Sequence, residues 1–411
     1  MKKVLFFATI DPSPRNNGKS VVLSGIFDYL QQKYDNYFKI AIVGESFNSE
    51  KIAVIKRPSL LRIVLNIFYF TLIKKEKSIQ ESFFYDKKIL KDMQHLIVNQ
   101  KPDIIIFDTV RLAQYGDKLK LSDTRKIVYL DDLFSLRYRR MAASDLKSIG
   151  VFGNFEKNIP SLLRFLIDKS DLLKKFVLRY EADLIEKSEV KISTQFDLSL
   201  LISSSEVDYF KQRHGEMRLT SIPPFLPIAE IVKRDWDGRP NFIFLGSMNL
   251  PHNIGGLKSF LTSVFPAVLL RNPSATLSVI GGGVTDELKR SADSFGKSVT
   301  FLGRVEDLSP LLSNACALIA PLTFGSGVKL KIIDSLAYSL PVISTDIGVE
   351  GIDFTHGIHG ELANNWTDFS ESVLKLCDPE INKYYSNNSK KLFDDMYSKN
   401  SIFSRYDEIF N

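Results

Sequence analysis

The chain has 411 residues, 44% of them hydrophobic and 25% charged, which is enough apolar material for more than one core and makes two domains the default expectation. The net charge of +6 is the small difference between 54 basic and 48 acidic residues, too thin to indicate nucleic-acid binding, though it suits anionic small substrates or anionic lipid. Two cysteines, Cys316 and Cys377, and five histidines offer no metal-ligand or redox spacing; no metal site and no cofactor are expected, and a reducing cytoplasm is the simplest setting.

The opening segment MKKVLFFATIDPSP has an apolar run that stops at Asp11 without a small-residue cleavage site, so it reads as a first β-strand, Val4 to Ile10, and not as a signal peptide. A Pro/Asn/Gly loop and a helical pattern from Ser20 to Gln32 follow. Phe38 to Val43 reads as a strand, Phe84 to Asn99 as a helix, Asp103 to Phe107 as a buried strand, and Lys126 to Leu130 as another. Alternating strands and helices predict a parallel sheet covered on both faces.

Between the second strand and that helix lies an apolar run, Leu60 to Ile73, shorter than the roughly 20 residues of a membrane span. Lys56, Arg57, Arg62, Lys74, Lys75 and Lys77 surround it. Residues 51–77 therefore read either as an interfacial helix on an anionic membrane or as a buried helix with a basic rim. From Ala142 to about Lys187 the pattern is helical and basic; Val190 to Ser193 and Leu198 to Ile202 return to strand character. The proline-rich stretch Ser221 to Pro240 separates this series from the next. Domains are accordingly placed at 1–225 and 241–380, with a linker at 226–240 and C-terminal helices at 381–411 that pack back towards the N-terminal domain.

The second series comprises the strand NFIFLGS, a helix from Ile254 to Leu270, the strand ATLSVI running into Gly281, Gly282 and Gly283, and a helix from Asp286 to Phe295. The strand VTFLG, a helix from Leu308 to Ala315, the strand CALIAPL, a helix from Val328 to Ser339 and the strand PVISTD complete it. Both halves are α/β domains of Rossmann-like type, and two such domains facing each other create a cleft at the carboxyl ends of their strands.

Within PLTFGSGVKLKIIDSLAYSLPVIST, a strand passes through Gly325, Ser326 and Gly327 onto a helix. Backbone N–H groups there present themselves to an anion and the helix dipole favours negative charge. Lys329 and Lys331 in the first turn oppose that dipole by roughly 0.3–1 kcal/mol each, a cost that an anionic ligand reverses. Asp334, two turns on from Ser326, is spaced to accept bonds from two ribose hydroxyls. The same residues also suit an ordinary turn, solvated lysines and a surface aspartate. The triplet Gly281–Gly283 suits close approach of a base or diphosphate, or only a turn, and its order is not the dinucleotide fingerprint.

Residues Pro321 to Gly351 resemble the retaining GT-B glycosyltransferases of family 4, in the branch with the signature PL-x-x-G-x-G-x-K-x-K-x-x-E-A followed by PV-x-x-T and G-x-E-G. The resemblance reaches back to GSMNLPHN, where Gly246, Ser247 and Asn253 match the branch's opening after its first donor-domain strand, and includes FLGRVED. It covers Phe242 to about Asp378 well and the N-terminal half weakly. It implies a GT-B fold and metal-independent transfer of a hexose-type sugar from a nucleotide-diphosphate sugar to a glycan or lipid-linked glycan, as in bacterial surface-polysaccharide synthesis, with no nucleic-acid partner. The expected location is cytoplasmic, at the inner face of the membrane where lipid-linked acceptors are used.

The resemblance implies donor-binding roles for Gly246, Ser247, Asn253, Gly282, Arg304, Gly325, Ser326, Gly327, Lys329 and Asp334, and an acceptor-side role for Gly18 in DPSPRNNGKS. Two positions depart from the family pattern. Ser326 stands where many members have a sugar-contacting glutamate, with Asp334 at the second glutamate's place, and Ser247 stands where many have a diphosphate-binding arginine. Lys329, Lys331 and Arg304 are the replacement cations; Arg304 equally suits an ion pair with Glu306 or Asp307. The catalytic candidates are Lys329, Asp131 and Asp132. One aspartate orients or deprotonates the acceptor hydroxyl, or the two cap the next helix or pair with Arg137, Arg139 or Arg140; Asp108 and Arg111 are weaker alternatives. A phosphate-binding loop at GKS is rejected because Ser13 replaces its first glycine. The rival functions are a GT-B-shaped nucleotide-sugar epimerase and a non-catalytic nucleotide-sugar-binding protein.

Overall fold

The computed structural model describes residues 2–13, 18–44, 52–121, 123–143, 170–228, 233–325 and 327–411. These form two compact units, Met1–Pro224 with Tyr406–Asn411, and Phe225–Arg405. The helix Pro379–Met396 belongs to the second unit, and the end of the helix Lys399–Phe410 to the first.

Among the described residues, the first unit holds a seven-stranded sheet of order β3-β2-β1-β4-β5-β6-β7. The strands are β1 Val4–Ala8, β2 Phe38–Val43, β3 Ile52–Ile55, β4 Ile104–Asp108, β5 Arg125–Asp131, β6 Leu198–Leu201 and β7 Leu219–Ser221. Every pairing is parallel. The central strands β1 (VLFFA) and β4 (IIIFD) are buried along their whole length, so they read as unbroken apolar runs without alternation. The chain goes outward from β1 through β2 to β3, then resumes on β1's other side at β4. The order therefore reverses between β1 and β4.

The second unit holds a six-stranded parallel sheet of order β10-β9-β8-β11-β12-β13. Its strands are β8 Asn241–Leu245, β9 Thr276–Ile280, β10 Val299–Gly303, β11 Ala317–Ala320, β12 Val342–Ser344 and β13 Gly360–Leu362. Here the reversal lies between β8 and β11. Helices supply Leu257, Phe260, Leu261, Phe369 and Val373 to one buried cluster with Phe242, Phe244, Val279 and Ile319 from the strands. Each such side chain contributes roughly 1.5–3 kcal/mol by leaving water.

Several elements differ from the sequence reading. Val190 to Ser193 is not a strand but part of the helix Asp171–Gln195. Its buried positions Glu181, Ile185, Ser188 or Glu189, and Ile192 follow helical spacing, so the short apolar run was one face of a helix. The helix expected over Phe84 to Asn99 is two, Ile79–Phe84 and Lys87–Gln100, because the Asp86 side chain accepts from the Lys88 N–H and caps a new start. The helix expected from Ile254 to Leu270 breaks at Val264, where Pro266 removes an N–H and its ring crowds the preceding turn. Strands β3, β7 and β13 are three or four residues long and sit beside loops that masked them in sequence.

Candidate functional site

In an open parallel sheet the loops at the reversal of strand order diverge and leave a crevice beyond the strand ends. In the second unit those loops follow β8 and β11. A Cβ on Gly256 would come within 2.8 Å of the Pro321 carbonyl oxygen, so the helix after β8 is packed directly against the loop after β11.

After β11 the chain turns through Gly325 (φ 139°) and Gly327 (φ 72°), backbone that only glycine adopts without strain. The helix begins at Leu330, not Val328, and runs to Ala337, with Lys329 in extended conformation at its cap. Val328 and Lys329 are therefore not helical, and counting two helical turns from Ser326 to Asp334 does not hold. Ser326 itself lies outside the described residues. Asp334 is the fifth residue of the helix and half-buried, in a segment whose Ile332, Ile333, Ser335 and Leu336 are buried.

The two lysines are not solvated. Lys329 is buried and its Nζ donates to the Gly327 carbonyl at 2.6 Å, folding over the turn that precedes it. Lys331 donates to Asn253 Oδ1 at 2.9 Å and lies over the Phe244 ring at 5.2 Å. Burial, with Lys329's charge beside it, brings the Lys331 ammonium down to about 7. The Asp334 carboxyl is pushed up to about 7 by desolvation, and no hydrogen bond or ion pair compensates it among the described residues. Two lysines and an uncompensated carboxyl thus lie within seven residues of one glycine turn.

Asn253 ties this helix to the other loop, since its Nδ2 donates to the Ser247 carbonyl at 3.0 Å. It also explains Gly246, where a Cβ would lie 2.7 Å from Asn253 Nδ2. Gly281 (φ 143°) lies beneath the same loop, its absent Cβ replaced by the Gly246 carbonyl oxygen. Gly282 faces open space, and its carbonyl accepts from Met248 N–H at 2.7 Å. Gly246, Ser247, Asn253, Gly282, Gly325, Gly327, Lys329 and Asp334 are thus contributed by adjacent loops at one end of the sheet. Arg304 follows β10, two strands or about 10 Å from β8. It is exposed, and no ion pair joins it to Glu306 or Asp307; Asp307 accepts from Ser309 N–H instead.

In the first unit the reversal falls between Thr9, after β1, and Asp108, at the end of β4. Asp108 is fully buried, accepts from the Thr9 N–H at 2.9 Å and from its hydroxyl, and pairs with Lys19 at 2.8 Å. Lys19, the lysine of GKS, is thereby bound to a carboxylate. Gly18 is the first residue of the helix Gly18–Tyr34 and is exposed.

Asp131 ends β5 with φ 71° and Thr109 follows β4 with φ 61°; a β-branched residue there is strained backbone. Asp131 is half-buried, and desolvation with the charge of Asp132 raises it to about 7. Asp132 is buried and ion-paired to Arg137, whereas Arg139 pairs with Asp183 and Glu186. Arg111 is turned onto Gln80 at 2.8 Å and over the Phe134 ring. The sequence reading missed the Asp108–Lys19 pair and the Lys331–Asn253 link, because each joins residues far apart in the chain with no local pattern. His356 and His359 accept backbone N–H groups of Leu362 and Thr355 through Nδ1.

Comparison with known proteins places this architecture. The chain is 30% identical over 215 residues to an uncharacterized 44.6 kDa protein in the cps region of Klebsiella pneumoniae, a match spanning 50% of this chain and 54% of that protein. The chain thus matches about half the length of that curated relative. Among solved structures it resembles sucrose-phosphate synthase from Thermosynechococcus elongatus, with TM-score 0.66, 14% identity and coverage of 100% and 98% of the two chains. It also resembles the Anabaena protein HepE in complex with UDP and glucose, with TM-score 0.63, 12% identity and coverage of 100% and 99%. The α/β fold with two parallel sheets is that of GT-B glycosyltransferases. Residues 239–378, which hold the loops after β8, β9 and β11, match the family model Glycosyl transferases group 1.

Proposed function

We propose that this protein is a retaining glycosyltransferase that moves a hexose-type sugar from a nucleotide-diphosphate sugar to a glycan or lipid-linked glycan acceptor, in the synthesis of a bacterial surface polysaccharide. The observation that carries the reading is the juxtaposition of buried Lys329 and half-buried Lys331 with the uncompensated Asp334 carboxyl around the Gly325–Gly327 turn. A buried lysine beside a second one is costly until an anion joins it, and a desolvated carboxyl is costly until hydroxyl donors reach it. A nucleoside diphosphate brings both.

In this reading Asp334 accepts from the ribose hydroxyls, and Lys329, Lys331 and backbone N–H groups hold the diphosphate. Arg304 adds charge from the outer strand. The bond from the sugar's anomeric carbon to the diphosphate oxygen breaks, and a bond to the acceptor hydroxyl oxygen forms on the same face. The acceptor proton passes to the leaving diphosphate. Catalysis then rests on positioning and on neutralising the leaving charge, which the cationic side chains do without a metal ion. Asp131 orients the acceptor hydroxyl. The likeness to a protein solved with UDP and glucose and the relative in a cps region support this choice, and the reaction is assigned to the cytoplasmic side of the membrane.

The test is a thermal-shift panel of nucleotide sugars, followed by product analysis with the sugar that stabilises most. A ligand at 100 times its Kd stabilises by about 2.7 kcal/mol. Stabilisation without transfer or hydrolysis would identify a binding protein, and a new sugar nucleotide an epimerase; no stabilisation by any member of the panel would sink the reading.

A further inference from the structure

The helix Leu60–Ile73 is inside out. Its inward face carries two polar side chains beside Ile63: Asn66 donates to the carbonyls of Ser82 (3.1 Å) and Tyr85 (2.7 Å), and the Thr71 hydroxyl meets that of Ser82 at 2.9 Å. Its outward face carries Leu61 (71% exposed), Leu65, Phe68 (58%), Tyr69, Leu72 (55%) and Ile73. A surface helix of a water-facing protein has the opposite arrangement, and the buried-helix reading of this segment is thereby overturned.

The apolar positions form pairs at 60/61, 64/65, 68/69 and 72/73, a four-residue repeat. On a 3.6-residue turn such a repeat drifts around the axis. The second half of the helix, Ile67–Ile73, is instead a π-helix, with Lys74 N–H bonded to Tyr69 O. Its wider turn slows the rotation per residue, so the apolar stripe stays on one side along both halves. The Tyr180 hydroxyl donates to the Thr71 carbonyl at 2.5 Å, which docks the helix Asp171–Gln195 alongside. That helix adds exposed Leu172 and Phe176.

We infer that this face is a docking surface for an anionic lipid bilayer. The choice of occupant rests on charge: Lys56, Arg62, Lys74 and Lys75 at the ends and flank of the stripe, and Lys175 and Arg179 beside Phe176, are exposed, against Glu76 and Asp171. At 14 residues the helix is too short to cross a bilayer, so it lies in the headgroup layer with the leucines and Phe68 immersed and the cations at the phosphates.

The experiment is co-sedimentation of the full chain with phosphatidylcholine vesicles, with and without phosphatidylglycerol. The protein pellets with the anionic vesicles, and added salt releases it. Replacing Lys74 and Lys75 by alanine weakens partitioning about thirtyfold, and Leu61→Ser with Phe68→Ser abolishes it. Both variants keep the wild-type thermal midpoint, since the residues are exposed, and keep the wild-type response to nucleotides, which separates this outcome from the transferase reading. Absence of binding to anionic vesicles at low ionic strength overturns the inference. So does a stable dimer in sedimentation velocity that Phe68→Ser dissociates, because the stripe would then be covered by a second copy.

Discussion

Lys331 and Asn253, 78 positions apart, are joined by a 2.9 Å hydrogen bond that closes the reversal point of the second sheet. Asn253 also holds the Ser247 carbonyl, so one amide fixes the loop after β8 against the helix after β11. Asn253→Ala leaves the half-buried Lys331 without this acceptor and should destabilise by about 1–3 kcal/mol. It should also weaken nucleotide-diphosphate binding. Lys331→Met keeps the volume and removes the charge, so it should leave the thermal midpoint near wild type while lowering affinity. Thermal denaturation and calorimetric titration with the nucleotide distinguish the two.

Asp334 is expected to be a residue that function keeps at a cost to stability. Its carboxyl is raised to about 7 by burial alone, so the folded state holds its proton more tightly than the unfolded chain. This group's contribution is most favourable at low pH and is lost as pH rises from its ordinary 3.8 through about 7. Asp334→Asn should therefore be neutral or stabilising at pH 8 or so, with donor affinity reduced about tenfold or more through loss of charged hydrogen bonds. A destabilised variant with unchanged affinity would place the carboxyl in a structural role.

The sequence made the long elements and the donor turn legible because both are local. Apolar runs such as IIIF are strand-like wherever they occur, and Gly325 and Gly327 announce positive φ within three residues. It could not show that Lys331 turns inward to an asparagine 78 residues earlier, or that Lys19 is taken by Asp108. Such pairings depend on strand order, which no local pattern encodes. The outward-facing stripe of Leu60–Ile73 was ambiguous for a related reason: an apolar face looks the same in sequence whether the core or the surface receives it.

The glycines after β9 separate packing from binding. Gly281→Ala would set a Cβ 1.9 Å from the Gly246 carbonyl oxygen at φ 143° and should cost about 2–5 kcal/mol. Gly282→Ala meets nothing within 4 Å, so its stability should change by less than about 0.5 kcal/mol. If the nucleotide lies against this backbone, the same methyl group weakens its binding. Paired thermal and binding measurements on these neighbours test where the ligand runs.

A buried carboxyl against the start of the helix Phe134–Ala143 should dominate a different pH response. Glu189 accepts from Ser135 N–H and its hydroxyl at the start of the helix Phe134–Ala143, yet burial raises it to about 8. Since its folded value exceeds its ordinary 4.5, stability from this group is present at low pH and declines as pH rises from about 4.5 to about 8. Glu189→Gln, which keeps the acceptor and cannot ionise, should flatten the dependence of the thermal midpoint over that range. An unaltered slope would mean that other groups carry it.

Asp131 and Asp132 should behave as one coupled unit with divided tasks. Asp132 is buried against Arg137, so Asp132→Ala removes that ion pair and should cost about 1–3 kcal/mol. Asp131, half-buried at a positive φ, has no such structural pair among the described residues, and its rise to about 7 comes from desolvation and from the Asp132 charge. If ionised Asp131 orients the acceptor, transfer should increase as pH rises through about 7, and Asp131→Asn should lower kcat and remove that limb without lowering the thermal midpoint. Asp132→Asn deletes the like charge, so the limb should move to lower pH in that variant. Measuring kcat against pH in both variants decides the matter, because a purely structural Asp131 would leave the limb where it is.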